Sequence, residues 1–211
     1  MTTTTEYTFS RIGGRLCLDF ANTVGSSAGR RQGGPDPDDH LHTYEDLVAW
    51  GRQLEVITPR AAKALLAEAS RHPAGAAATL ERAKELREAL YRVFSARAAG
   101  EPPVASDLAR LNGELKEALS RQRLALEEGQ VTWTFESAPT DLDAMLWPVA
   151  RSAGELLTAD AGLARLRECA SDTCGWLFVD TSKNRSRRWC DMADCGNRAK
   201  ARRHYHRVQG Q

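Results

Sequence analysis

The chain has 211 residues, 42% of them hydrophobic and 27% charged, close to the average of soluble globular proteins, which excludes a largely disordered chain. No apolar run reaches the ~18 residues of a membrane span, and the start MTTTTEYTFSR lacks the basic-then-apolar pattern of an export signal, so a cytoplasmic protein with no membrane partner is expected. The net charge of +1 hides an imbalance: residues 1–164 carry 18 Lys+Arg against 23 Asp+Glu, whereas residues 165–211 carry 11 against 5.

That split suggests an acidic body over 1–160 and a basic module over 161–211 with an anionic partner. In chain order, a lead-in ends at Gly13-Gly14. RLCLDFANTV then places Leu16, Cys17, Phe20, Ala21 and Val24 on one face of a helix, with Cys17 buried. Residues 25–40 read as a mobile Gly/Pro/Asp-rich loop. Thr43 and Asp46 form a capping box for a helix to about Leu54, and Thr58-Pro59 opens the next. A long helix over about 75–99 follows, and then one over about 107–121 capped by Ser106, with Leu108, Leu111, Leu115 and Leu119 inward. The period then changes to two. RLALEEGQVTWTFES predicts a hairpin turning at Glu128-Gly129, with Val131, Trp133 and Phe135 on a half-buried face. Thr140 and Asp143 mark a further helix to about Leu157, and Asp160-Ala161-Gly162 is the expected joint. Trp50, Trp133 and Trp147 are expected in the core.

Four of the five cysteines lie in the basic module as C-x4-C-x15-C-x4-C: Cys169, Cys174, Cys190 and Cys195. Two close thiol pairs fit one tetrahedral zinc, and four thiolates leave no open position for catalysis. A redox dithiol is the alternative, but the C-x-x-C spacing is absent. A segment this short with so few apolar residues needs such a staple. The fold class is therefore mainly α with a small β-hairpin (α+β): a helical N-terminal domain followed by a small treble-like or ribbon zinc finger holding one structural ion.

The run CGNR (Cys195–Arg198), continuing AKARRHYHR and preceded by WLFVDTSKNRSRRWC, resembles the CGNR zinc finger. GGRLCLDFANTV echoes the start of the ABATE domain, so the resemblance covers nearly the whole chain. It is similar to stress-linked bacterial transcription regulators. The resemblance implies a DNA-binding finger behind a domain that senses a ligand, with Cys169, Cys174, Cys190 and Cys195 in the metal positions.

Projected on a helix, Lys200, Arg203, His204 and Arg207 share one face, which is expected to meet the phosphates of duplex DNA. Lys183, Arg185, Arg187 and Arg188 between the cysteine pairs form a second basic set, of which the three arginines are the expected phosphate contacts. The other helix face is expected to pack on the finger through Tyr205 and Val208, with Arg198 bonding the thiolate cluster. In the body, Asp19 and Asn22 either line a ligand pocket or satisfy buried backbone groups. His40 and His42, without a third ligand, read as solvated. No catalytic arrangement stands out, so a non-enzyme is expected. The alternatives are a module binding RNA or an acidic protein, and an enzyme within the helical body.

Overall fold

The structure is a computed structural model that describes residues 7–25 and 39–209; the mobility expected of residues 25–40 falls almost wholly outside them. The body is built from helices α1 (Leu16–Ala21), α2 (Tyr44–Gln53), α3 (Pro59–Arg71), α4 (Pro73–Ala98), α5 (Ala105–Arg121) and α6 (Leu146–Thr158). A hairpin of β1 (Gln122–Glu127) and β2 (Gln130–Phe135) is inserted between α5 and α6. The joint is a single helical turn, α7 (Asp160–Leu163). The basic module holds β3 (Leu166–Glu168), β4 (Leu177–Val179), a π-helical turn at Met192–Gly196, and α8 (Asn197–Gln209).

Local chemistry explains most helix starts. Thr43 Oγ1 accepts from the Asp46 N–H at 3.2 Å, and the Asp46 carboxylate accepts from the Thr43 N–H at 2.8 Å, closing the capping box of α2. Thr58 Oγ1 accepts from the Ala61 N–H, with Pro59 at the first position of α3. Two starts differ from expectation. Val104, not Ser106, occupies the N-cap of α5, and Asp107 in its first turn is held by Arg92. The helix expected from Thr140 begins at Leu146. Residues before it form turns, because the Asp143 carboxylate bonds Arg82 and the Leu142 carbonyl accepts from Tyr44 Oη.

α4 is the spine. It buries Leu86, Leu90, Val93 and Phe94, and α1, α2, α3 and α5 pack against it. α6 closes the core with Trp147, Val149, Ala150 and Ala153. Two arginines pair with carboxylates at the core: buried Arg87 makes a two-pronged bond to Asp39 at 2.6 and 2.8 Å, and half-buried Arg82 does the same to Glu114 at 2.8 and 2.7 Å.

The hairpin turns at Glu128 (φ 51°) and Gly129 (φ 81°), two positive φ values in the manner of a type I′ turn. Toward the tip its faces are reversed from expectation: Val131 and Trp133 are exposed, while Ala125, Thr132 and Thr134 on the opposite face are half-buried. Phe135, at the base, is half-buried against the core as expected. Trp50 and Trp147 are core residues as expected; Trp133 is not.

The finger's first hairpin joins the body. β3 and β4 pair antiparallel, and their alternation sends Leu166, Leu177 and Val179 into the body's core, while Phe178 faces the cysteines. The acidic body and the basic module therefore share a core: three-residue strands cannot bury one face alone and use the helices as their second layer.

Candidate metal centre and nucleic-acid interface

Each cysteine pair sits at a chain reversal. Cys169 follows β3 and Cys174 precedes Gly175, whose φ of 77° suits glycine in the turn into β4. Cys190 ends the loop and Cys195 lies in the π-helical turn, where the Gly196 N–H reaches the Asp191 carbonyl. The four Sγ atoms lie within 4.8 Å of one another, and all four side chains are buried and free of disulfides. Cys174–Cys190 and Cys190–Cys195 are 3.6 and 3.7 Å apart, against about 3.8 Å for sulfurs at the corners of a zinc tetrahedron. The donor set calls for a cation. The thiols of Cys174 and Cys190 hold Cys169 far below the ordinary thiol range, while those same contacts drive Cys190 far up. A bound dication stabilises all four as thiolates. The cluster is a structural zinc site for one ion. Cys17 takes no part: it lies outside the cluster, in the body's core, where burial pushes its thiol up to about 12.

Hydrogen bonds surround the sulfurs. The Cys190 N–H points at Cys169 Sγ (3.4 Å), the Trp176 N–H at Cys174 Sγ (3.5 Å), and Arg198 Nη2 at Cys195 Sγ (3.0 Å). Arg198 also pairs with Asp194 at 3.3 Å. These donors offset the net negative charge of four thiolates on one dication.

The predicted basic residues separate into two groups. Lys200, Arg203 and Arg207 are exposed along α8, and Arg185 and Arg188 are exposed on the loop. Arg187 is drawn inward instead. Its guanidinium lies 4.5 Å over the Phe178 ring and donates to the carbonyls of Trp189 and Cys190. Its N–H donates to Asp180, a fully buried carboxylate that also accepts from the Ser182 N–H. The Asp180-Thr-Ser182 pattern of an Asx turn carried that signal in the sequence and was missed. The other face of α8 is attached differently from expectation: Tyr205 is 58% exposed, and Arg202 reaches Asp172 at 2.8 Å. The Val208 side chain lies outside the described residues.

Asp19 and Asn22 both contact backbone at the seam between body and finger. Asp19 Oδ1 accepts from the Gly13 N–H at 2.8 Å, and the Gly13 carbonyl accepts from the Val179 N–H. A Cβ on Gly13 would lie 2.8 Å from Leu18 Cβ, so the close approach requires glycine. Asn22 spans Leu177 like a strand neighbour: Nδ2 donates to its carbonyl at 2.8 Å and Oδ1 accepts from its N–H at 2.9 Å. Trp176 Nε1 donates to the Val24 carbonyl, and Glu168 accepts from Tyr91 and Ser95 of α4. Ile12 packs on the cysteine cluster. His40 stacks on Tyr7 at 3.7 Å, and His42 is exposed.

The fold and site define a class: a helical domain carrying a four-cysteine zinc finger on its own core. Residues 14–160 match the ABATE family model, described as "putative stress-induced transcription regulator", and residues 165–208 match the CGNR zinc finger. The chain belongs to the ABATE family, with a CGNR zinc finger at its C-terminal end. No curated protein matches it. Among the described residues no helix is long and apolar enough to cross a membrane.

Proposed function

We propose that the chain is a transcription regulator whose finger binds duplex DNA and whose body senses a small ligand. The carrying observation is the exposed basic face of Lys200, Arg203 and Arg207 on a helix that starts at Asn197, two residues after the last zinc-site cysteine. Exposed Arg185 and Arg188 extend it, and phosphates on a duplex favour such a surface. Arg187 organises the loop and is not assigned a phosphate.

The ligand reading rests on a cavity of about 560 Å³ beside α2 and α3, lined by Tyr7, Phe9, His40, Val48, Ala62 and Leu66. That volume suits a small molecule, and His42, Glu45, Asp46 and Arg52 add polar and charged groups to the apolar lining. Residues 7–13 supply a physical link from this cavity to the finger. Tyr7 and Phe9 line the cavity, Ile12 touches the cysteine cluster, and Gly13 bonds β4. A ligand that moves the near end therefore pulls on the far end.

Selection of bound sequences from random duplexes by the zinc-loaded chain, followed by salt titration, tests the reading. Duplex binding should weaken steeply with salt, by about 0.9 in log–log slope for each neutralised phosphate. Arg203→Ala or Arg207→Ala should weaken binding to every sequence and lower that slope by about one each. No duplex binding at low salt, with retained binding to RNA or an acidic protein, would overturn it.

A further inference from the structure

Helix α8 projects from the finger with little of the protein against it. The π-helical turn before it is its main packing partner. Its 13 residues hold five Lys or Arg and no Asp or Glu. A helix of this length is marginal in water without lateral packing, and the like charges of Arg198–Arg202 and Arg203–Arg207 at i,i+4 weaken it further. A polyanion that touches the helix along its length supplies what the fold withholds.

The circumference of α8 sorts its contacts. At about 100° per residue, Arg198, Ala199 and Arg202 share one arc. That arc faces the finger: Arg198 bonds Cys195 Sγ, Arg202 reaches Asp172, and Ala199 is half-buried. The remaining arc of about 200° runs from Arg203 through Arg207, Lys200 and Ala201 to Tyr205, and all five residues are exposed. A helix laid across a phosphate backbone is touched on one narrow side. A helix lying in a groove is touched by a floor and two walls, which is an arc of this width. An α-helix about 10–12 Å across fits the ~12 Å major groove of a DNA duplex, but neither its ~6 Å minor groove nor the deep, narrow major groove of duplex RNA. The length of α8, about 20 Å, covers roughly six base pairs.

We propose that α8 lies lengthwise in the major groove of duplex DNA. Lys200 and Ala201 face the base edges, Arg203 and Arg207 meet the phosphates of one wall, and Tyr205 turns toward the other. The assignment rests on the regulator reading and adds to it which residues carry sequence and which carry only charge. Lysine donates to guanine O6 and N7, and an alanine methyl packs on the thymine methyl, so both residues of the floor can discriminate bases.

Gel-shift titration of the zinc-loaded full chain tests it, with a pool of short random-sequence DNA duplexes as the probe. Three further probes are the same pool with glucosylated 5-hydroxymethylcytosine filling the major groove, the pool with netropsin in the minor groove, and duplex RNA. Glucosylation should weaken binding about tenfold or more, netropsin should leave it unchanged, and RNA should bind at least about tenfold more weakly than DNA. Ala201→Trp adds bulk at the groove floor and removes no charge, so affinity should fall about tenfold with the salt slope unchanged. Lys200→Ala should relax the selected sequence at one base position by about 5- to 150-fold, with zinc content and helicity unchanged, whereas Arg203→Ala lowers affinity for every sequence alike. The probe comparison uses the unsubstituted chain and decides the matter even if a variant misfolds. Duplex binding that is indifferent to glucosylation, or that netropsin displaces, overturns the groove placement and leaves the regulator reading standing. A sequence preference untouched by Lys200→Ala overturns the floor assignment. No duplex binding at low salt, or tighter binding to RNA, overturns the regulator reading and the groove placement together.

Discussion

The helical body and the finger solve the same problem by different means. The body buries large side chains such as Trp50, Phe94, Leu86 and Trp147 in one continuous core, and capped helices supply its frame. The finger buries Phe178 and four cysteines, with Trp176 and Trp189 partly covered, and relies on a metal ion for the rest. The body is held by area removed from water, roughly 25 cal/mol per Å². The finger is held by zinc–thiolate bonds aimed by a few N–H donors. The comparison teaches that these two strategies share a boundary. Leu166, Leu177 and Val179 belong to the finger by sequence and to the body by burial.

Zinc removal gives the largest test of that boundary. Chelation, or Cys190→Ser, removes a stabilisation of about 10–16 kcal/mol from the finger. With a shared core, the body's melting temperature should fall as well, because β3 and β4 leave its surface. Calorimetry with and without zinc checks this; a body transition unchanged by chelation would restore the picture of independent modules.

Asn22→Ala cuts the seam itself. It removes both bonds to Leu177 and leaves a buried N–H and carbonyl unpaired, at a cost of about 2–4 kcal/mol. Urea denaturation measures it. Hydrogen exchange should show faster opening at residues 166–179 than at α4. Uniform loss across the chain would mean that Asn22 supports only the body.

Asp19 tests the seam through pH. Burial raises its carboxyl from 3.8 to about 6, against the lowering effects of the Gly13 N–H and the Arg11 charge. The folded chain thus keeps a proton that the unfolded chain releases, so stability falls as pH rises from 3.8 to about 6 and stays lower above it. Asp19→Asn keeps an acceptor for Gly13 and removes that dependence. At neutral pH it should stabilise the chain by about 1–2 kcal/mol. Comparing the variant's urea midpoint with wild type on either side of pH 6 cancels the contribution common to both, that of the zinc thiolates included. A difference that does not change across that window contradicts the assignment.

Arg202→Ala is the smallest effect. Its pair with Asp172 is solvated at both ends, so the loss should stay below about 1 kcal/mol, with zinc affinity unchanged. Arg198→Ala on the same helix should lower zinc retention in a competition assay with a chelator, because its guanidinium sits on Cys195 Sγ.

Sequence alone determined what depends on near neighbours. The Thr43/Asp46 box and Thr58-Pro59 mark helix starts because caps are made within one turn. Glu128-Gly129 marks the hairpin because both positions need positive φ. The cysteine spacing marks the metal because two close pairs of thiols, each at a chain reversal, bring four sulfurs to one tetrahedral ion. Tertiary structure decided what depends on the partner across the fold. The hairpin's period of two gave its faces but not which one turns outward, since alternation reads the same from either side. The start of α6 moved because Arg82 and Tyr44, both distant in the chain, take Asp143 and the Leu142 carbonyl. Arg187 reads as a phosphate contact in the sequence, yet it stacks on Phe178 and donates to the Cys190 carbonyl, for charge in a sequence carries no record of what lies behind it. The roles of Asp19 and Asn22 at the seam depend on bonds to Gly13 and Leu177, and the second of these spans 155 residues, beyond the reach of any local rule.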